Sequence, residues 1–324
     1  MKERFVFLLL LSLSFIGCKG YDEYNPISKG RWEILSFIPE ESQMVMYVNL
    51  NDVRNTESWN AFFKPYFNQS DAKFRLHEFK KATGFKIEAN ASELISSVTE
   101  DGNNLVAVSF NKNIKNVQNY FDNENKFSAK KVEGKKVYLV KNRVDERFIF
   151  YNDSTLIMFS NSKYLDKVLK NKNESLKSNK EFIGLIERIK DKQKFWLAVN
   201  GGKPALSIIK KVIGDLKDIP GKKLIRSVKK ITLSADFGNG MKIESNLICS
   251  SRNNSYLLSA GISSAVAMDI ISNKNIMLGK VTKNLHVSAN DNTVQLKLNL
   301  NKSEIKELNK LVKYNYQNKN SKKL

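Results

Sequence analysis

His77 and His286 are the only imidazoles among 324 residues, so acid–base or metal chemistry near neutral pH would start from them. His77 stands between Leu76 and Glu78 on an expected helix, and His286 lies in an expected hairpin strand. Neither has a cysteine or second histidine close in sequence, and both read as structural. Ser207 and Lys210 have the spacing of a lysine-activated serine nucleophile, but no KTG partner accompanies them. Asn200-Gly201-Gly202-Lys203 joins an expected strand to an expected helix, where phosphates bind. Pro204 stands where a P-loop needs the magnesium-binding Ser or Thr. Asp236-Phe237-Gly238 spells part of a phosphotransferase signature without its catalytic loop. The acidic neighbours Glu40/Glu41, Glu100/Asp101 and Asp145/Glu146 flank turns. Adjacent side chains on a strand point to opposite faces, which makes them poor acid/base pairs. GxSxG, HExxH and CxxC are all absent. The sequence therefore predicts a protein that is not an enzyme and needs no cofactor.

Cysteine carries the strongest chemical signal. Cys18 and Cys249 are too few for a disulfide framework or a multi-cysteine zinc site. Lys2 and Arg4 open the chain, residues 5–16 are apolar apart from Ser12 and Ser14, and Phe15-Ile16-Gly17-Cys18 follows. That run is shorter than the ~20 residues of a membrane-spanning helix and has the pattern of a secretory signal. The tetrapeptide resembles the lipobox of bacterial lipoproteins. The resemblance implies a diacylglyceryl thioether on Cys18, cleavage before it, and acylation of the new amine. Acyl chains at ~0.8 kcal/mol per buried methylene hold a protein on a membrane. The expected address is the cell envelope, facing the periplasm or the exterior. Lys19, in place of an aspartate that retains some lipoproteins at the inner membrane, favours the outer membrane. Cys249, beside Leu247 and Ile248, reads as a buried, inert thiol.

The net charge of +21 falls to +20 once residues 1–17, with Lys2, Glu3 and Arg4, are removed. Lysines outnumber arginines 45 to 9, whereas phosphate and base recognition favours arginine's bidentate fork. An exported lipoprotein also rarely meets nucleic acid, so no nucleic-acid partner is expected. Lysines in 170–180 and 319–323 can instead add attraction to an anionic envelope surface.

The elements that would position such groups come from periodicity. Residues 44–50 form an apolar strand. A helix capped by Asn51 or Thr56 then carries Trp59, Phe62, Phe63, Tyr66 and Phe67 at i, i+3, i+4, i+7, i+8, with Pro65 as a kink. That aromatic stripe is either core or the lining of an apolar cleft or interface. Helices are expected over 71–83, 91–98, 114–121, 164–169, 182–189, 204–216 and 263–271. Strands are expected over 105–110, 136–140, 147–151, 155–160, 194–200, 231–237, 241–249, 285–289 and 294–300. Turns fall at Asn152-Asp153, Gly238-Asn239-Gly240 and Asn290-Asp291-Asn292. Asn301 and Glu304 form a capping box.

These elements predict an α+β fold of two tandem, similarly ordered halves of antiparallel sheet with helices packed on one face. The expected division is 1–17 signal peptide, 18–31 tether, 32–192 first half, 193–314 second half and 315–324 basic tail. Ile38-Pro39-Glu40-Glu41-Ser42, followed by Val45, Tyr47, Val48 and Asn49, also resembles the opening of some uncharacterised bacterial envelope proteins, a likeness that implies no activity. The functional expectation is a lipid-anchored envelope protein that acts as a non-catalytic binding or structural module toward another envelope protein. The alternatives are a carrier of an apolar ligand in the aromatic-lined cleft and an envelope hydrolase.

Overall fold

Side-chain alternation is the main organiser of the computed structural model, which describes residues 29–60, 70–141, 143–170, 175–189, 194–201, 203, 205–206, 222–272 and 283–307. Of these, 29–54 and 70–187 form one unit, and 55–60 with 188–307 form the other. The division near residue 187 lies close to the expected 192, and residues 55–60 group with the second unit.

The first unit holds seven strands: β1 (Ser42–Asn49), β2 (Ala91–Thr99), β3 (Asn104–Phe110), β4 (Phe127–Val132), β5 (Lys135–Val140), β6 (Arg143–Asn152) and β7 (Thr155–Phe159). They pair antiparallel throughout, in the order β1-β2-β3-β7-β6-β5-β4. Their register aligns Tyr47, Ile95, Ala107, Ile157, Ile149 and Val137 across six strands, each no more than 1% exposed. Each large aliphatic side chain buried this way contributes ~1.5–3 kcal/mol. Helix α1 (Lys29–Leu35) lies against this row, with the Arg31 guanidinium 4.3 Å over the Tyr47 ring. It begins before Trp32, so part of the expected 18–31 tether belongs to the folded body.

Residues 91–98, expected as a helix, are strand β2. Beyond a bulge at its start, Glu93, Ile95, Ser97 and Thr99 point one way and Leu94, Ser96 and Val98 the other, a period of two that pairing on both sides enforces. Strand β4 was not foreseen. It is joined to β5 by Glu133 and Gly134 at φ 47° and 75°, the two left-handed residues of a tight hairpin turn. Helix α2 (Leu50–Arg54) is capped by Asn49, whose Oδ1 accepts from the Asn51 and Asp52 amides.

On the opposite face α3 (Ser70–Thr83), α4 (Ile87–Asn90) and α5 (Lys115–Asn123) gather an aromatic core. Phe121 of α5 stacks on Phe127 at 4.1 Å and meets Tyr138, Phe148 and Phe150 edge-on at 5.3–5.5 Å. Helices α6 (Ser162–Lys170) and α7 (Lys180–Glu187) complete the unit.

The second unit is a five-stranded antiparallel sheet of β8 (Phe195–Asn200), β9 (Val228–Asp236), β10 (Gly240–Cys249), β11 (Leu285–Asn290) and β12 (Thr293–Asn301), in the order β11-β12-β10-β9-β8. Val294, Leu296, Leu298 and Leu300 share one buried face, as their alternation requires. The expected hairpins at 238–240 and 290–292 both form, with Asp291 at φ 49°. The capping box closes on both sides. Asn301 Oδ1 accepts from the Glu304 amide at 3.0 Å, and Glu304 Oε2 accepts from the Asn301 amide at 2.8 Å. Besides the short α8 (Lys222–Arg226), the unit has a long helix, α9 (Arg252–Ser272). It starts eleven residues before the expected 263. Its first turns, rich in Asn and Ser, carry no apolar stripe, and its position comes from contact with β10, β11 and β12.

Candidate functional site

Cys18 and four of the five stripe residues, Phe62, Phe63, Tyr66 and Phe67, lie outside the described residues, as do Ser207 and Lys210. Trp59 is described and is 7% exposed. Its amide donates to Thr56 Oγ1 at 3.1 Å, so the expected Thr56 cap forms. The segment carrying Trp59 walls a cleft of about 130 Å3, together with Phe237, Gly238 and Gly240 at the β9–β10 turn, Lys302 within the capping box and Ile305 just after it. The groups that Asn55, Thr56, Glu57, Asn60 and Lys302 bring to this cleft are polar. His77 and His286 are both exposed and belong to different units. Among the described residues no three of His, Cys, Asp and Glu gather as a metal site. Cys249 is 3% exposed, and burial pushes its thiol up, which leaves it unreactive in the folded chain.

The two faces of the seven-stranded sheet differ in cover. One residue along from the sealed row, Met46, Ser96, Val106, Met158 and Phe148 align in register across β1, β2, β3, β7 and β6. All five are half-buried, as are Leu94, Val98, Val108 and Leu156 on the same face. The aromatic core under α5 extends over this face to Phe110, Val108, Leu156 and Phe148, and leaves Met46, Leu94, Ser96, Val98, Val106 and Met158 outside it. The result is a largely apolar floor with two thioethers, Met46 and Met158, three strands apart, whose flexibility and polarisability suit contact with varied apolar surfaces. Alternation was legible in sequence for β9, β10 and β12 but not for β2 or β4, and which face of the seven-stranded sheet would be less covered was not legible at all.

Three polar clusters brace the sheet. Arg31 donates from Nε and Nη2 to Glu93 Oε1 at 3.0 and 2.8 Å, and the Tyr47 hydroxyl donates to the same oxygen at 2.8 Å. Burial, followed by the Glu93 carboxylate, holds the Tyr47 hydroxyl protonated far above its ordinary range. At the β2–β3 turn, a hydrogen bond from the Thr99 hydroxyl is the main reason that Asp101 titrates at about 2, and the Tyr164 hydroxyl adds another at 2.9 Å. On the α1 side, Tyr151 donates to Glu33 at 3.2 Å and packs edge-on against Phe37 at 4.9 Å. Each cluster joins elements far apart in sequence, and none was foreseen.

No family model and no curated protein sequence matches the chain. Solved structures do. Crystal form IV of TP0453 superposes with a TM-score of 0.50 at 11% identity, over 88% of this chain and 99% of that one. Crystal form I gives 0.48 at 10% identity, over 85% and 95%. At this identity the likeness is one of fold: a mixed α+β chain built on antiparallel sheet, as its sequence predicts.

Proposed function

We propose that this chain is a lipid-anchored envelope protein that works as a non-catalytic binding module. The lipid on Cys18 holds it at the membrane, and the open face of the seven-stranded sheet receives another envelope component. The observation that carries this reading is the contrast between adjacent registers. The Tyr47–Val137 row is sealed to 1% exposure or less, while Met46, Val106 and Met158 of the adjacent row are half-buried and lie outside the aromatic core. Large contiguous apolar patches on a protein surface mark sites of association.

The likeness in fold to TP0453 is compatible with this reading. Among the described residues no helix is long and apolar enough to cross a membrane, which fits attachment through lipid. Lysines supply the attraction to anionic surfaces, and nucleic acid is not a partner in this reading.

A photocrosslinking residue at position 158 in the intact, membrane-bound protein tests the binding face. One discrete adduct is expected, lost when Met46 and Val106 are both changed to Glu and retained when exposed Lys130 is changed instead. A smear of adducts that ignores Met46 and Val106 rejects the open face as the site. Intact mass of the membrane-extracted protein tests the anchor separately: the expected species starts at Cys18 and carries acyl chains.

A further inference from the structure

We propose that the chain forms a two-fold dimer in which the outer edge of β11 pairs antiparallel with the same edge of a second copy, with the two α9 helices side by side above the joined strands. This surface belongs to the second unit and depends on neither the open face of the seven-stranded sheet nor the lipid.

Strand β11 pairs with β12 on one side, and among the described residues its other side has no partner. Leu285, Val287 and Ala289 are half-buried, whereas Leu298, Leu296 and Val294 opposite them on β12 are 0%, 6% and 0% exposed. The apolar face is therefore complete at β12 and short of one neighbour at β11. Strand edges that stay single are guarded by lysine, proline or a bulge. β4, at the end of the first unit's sheet, carries exposed Lys130 and Lys131. Residues Leu285–Asn290 hold no lysine and no proline, and their register with β12 runs without a shift.

The edge is its own complement. Pairing about Val287 sets this residue against Val287 of the second copy, Leu285 against its Ala289 and His286 against its Ser288. All three apolar residues then meet apolar residues, and the apolar faces of both sheets lie on one side. A shift of one residue would turn the second sheet over. Charge favours the same occupant. At +21, two copies repel over most of their surfaces, yet neither β11 nor residues 253–268 of α9 contain Lys, Arg, Asp or Glu.

The helix fits this arrangement. α9 lies against β11 first, then β12 and β10. Paired strands are ~4.8 Å apart, so two helices, each centred between β11 and β12 of its own copy, stand ~10 Å apart, the spacing of packed helix axes. Tyr256 and Leu257 of α9 are 45% and 56% exposed, and exposed Ala260 and Gly261 one turn on permit close approach.

The test uses the full lipoprotein in detergent. Sedimentation is expected to show a monomer–dimer equilibrium with a Kd on the order of 10 μM, in keeping with a contact of one strand edge and one helix flank. Under a mild oxidant, Val287→Cys should link two copies, because residues paired across strands have Cα atoms ~4.5–5.5 Å apart, within disulfide reach. The unsubstituted chain, whose Cys249 is buried, serves as the blank. Ser288→Cys alone should stay unlinked, its two copies being roughly 8 Å apart, while a mixture of Ser288→Cys and His286→Cys chains should link. Both positions are exposed, so they test the register even if Val287→Cys fails to fold. Leu257→Lys should raise the Kd at least about tenfold and leave the thermal midpoint unchanged. A monomer up to about 100 μM, or a dimer indifferent to Leu257→Lys, overturns the proposal. Linking at Lys130→Cys as efficient as at the β11 positions, or capture of a different polypeptide by Val287→Cys in the intact membrane, overturns it equally.

Discussion

Arg31 and Glu93, sixty-two residues apart, meet through two hydrogen bonds that converge on one carboxylate oxygen. Their side chains are 9% and 26% exposed, and the guanidinium also covers the Tyr47 ring. Through this contact α1 is held to the strand row beneath it.

Glu93→Ala removes the carboxylate from a buried guanidinium and is expected to lower stability by about 3 kcal/mol, the low end for breaking such a pair because Glu93 is partly wet. The double change Arg31→Met with Glu93→Leu should cost less than Glu93→Ala alone, since no charge is then left in the interior. Urea midpoints for the three proteins check both statements, and equal losses in single and double variants contradict them.

Acid should weaken the β2–β3 turn through Asp101. Its folded-state pKa, about 2, lies below the ordinary 3.8. A carboxylate depressed on folding contributes stability that is fully present above pH 4 and is lost as the pH falls from about 4 toward 2. Asp101→Asn should flatten the dependence of unfolding midpoint on pH within that window and leave it unchanged between pH 6 and 8.

Two glycines should answer alanine with opposite signs. A Cβ at Gly240, where φ is +154°, would sit 2.2 Å from the Leu300 carbonyl oxygen of the paired strand. Gly240→Ala must therefore shift backbone in β10 or β12, and a loss of about 2 kcal/mol or more is expected. Gly184 lies inside α7 with nothing within 4 Å of the added atom. Gly184→Ala should raise stability by about 0.5–1 kcal/mol through helix propensity and a less flexible unfolded chain. Thermal melts of the two variants separate strain from propensity.

Phe121 is the centre of the aromatic core, touching rings from β4, β5 and β6. Phe121→Ala is expected to cost about 3–5 kcal/mol from lost transfer energy and the cavity left behind, and Phe121→Leu markedly less. Near-ultraviolet circular dichroism should lose intensity in the alanine variant; an undisturbed aromatic signal would show that this cluster is not packed as described.

Short-range patterning was readable from the residues alone. Val294, Leu296, Leu298 and Leu300 announce a strand with one buried face, Asn301 and Glu304 announce the helix that follows, and Asn152-Asp153 and Gly238–Gly240 announce their hairpins, because each signal lies within a few residues along the chain. The small residue before Cys18 and the apolar run before it are local in the same way, and they set the expectation of a lipid anchor. Tertiary structure decided the rest. Residues 91–98 are a strand because β1 and β3 flank them, a condition no window of eight residues contains. The row from Met46 to Phe148 and the row from Tyr47 to Val137 alternate along the same strands, and only register and the placement of α1 decide which one is sealed. The cleft is assembled from a helix start near Thr56, a turn at Gly238 and Lys302 of the capping box, three segments distant in sequence that only the folded backbone brings together.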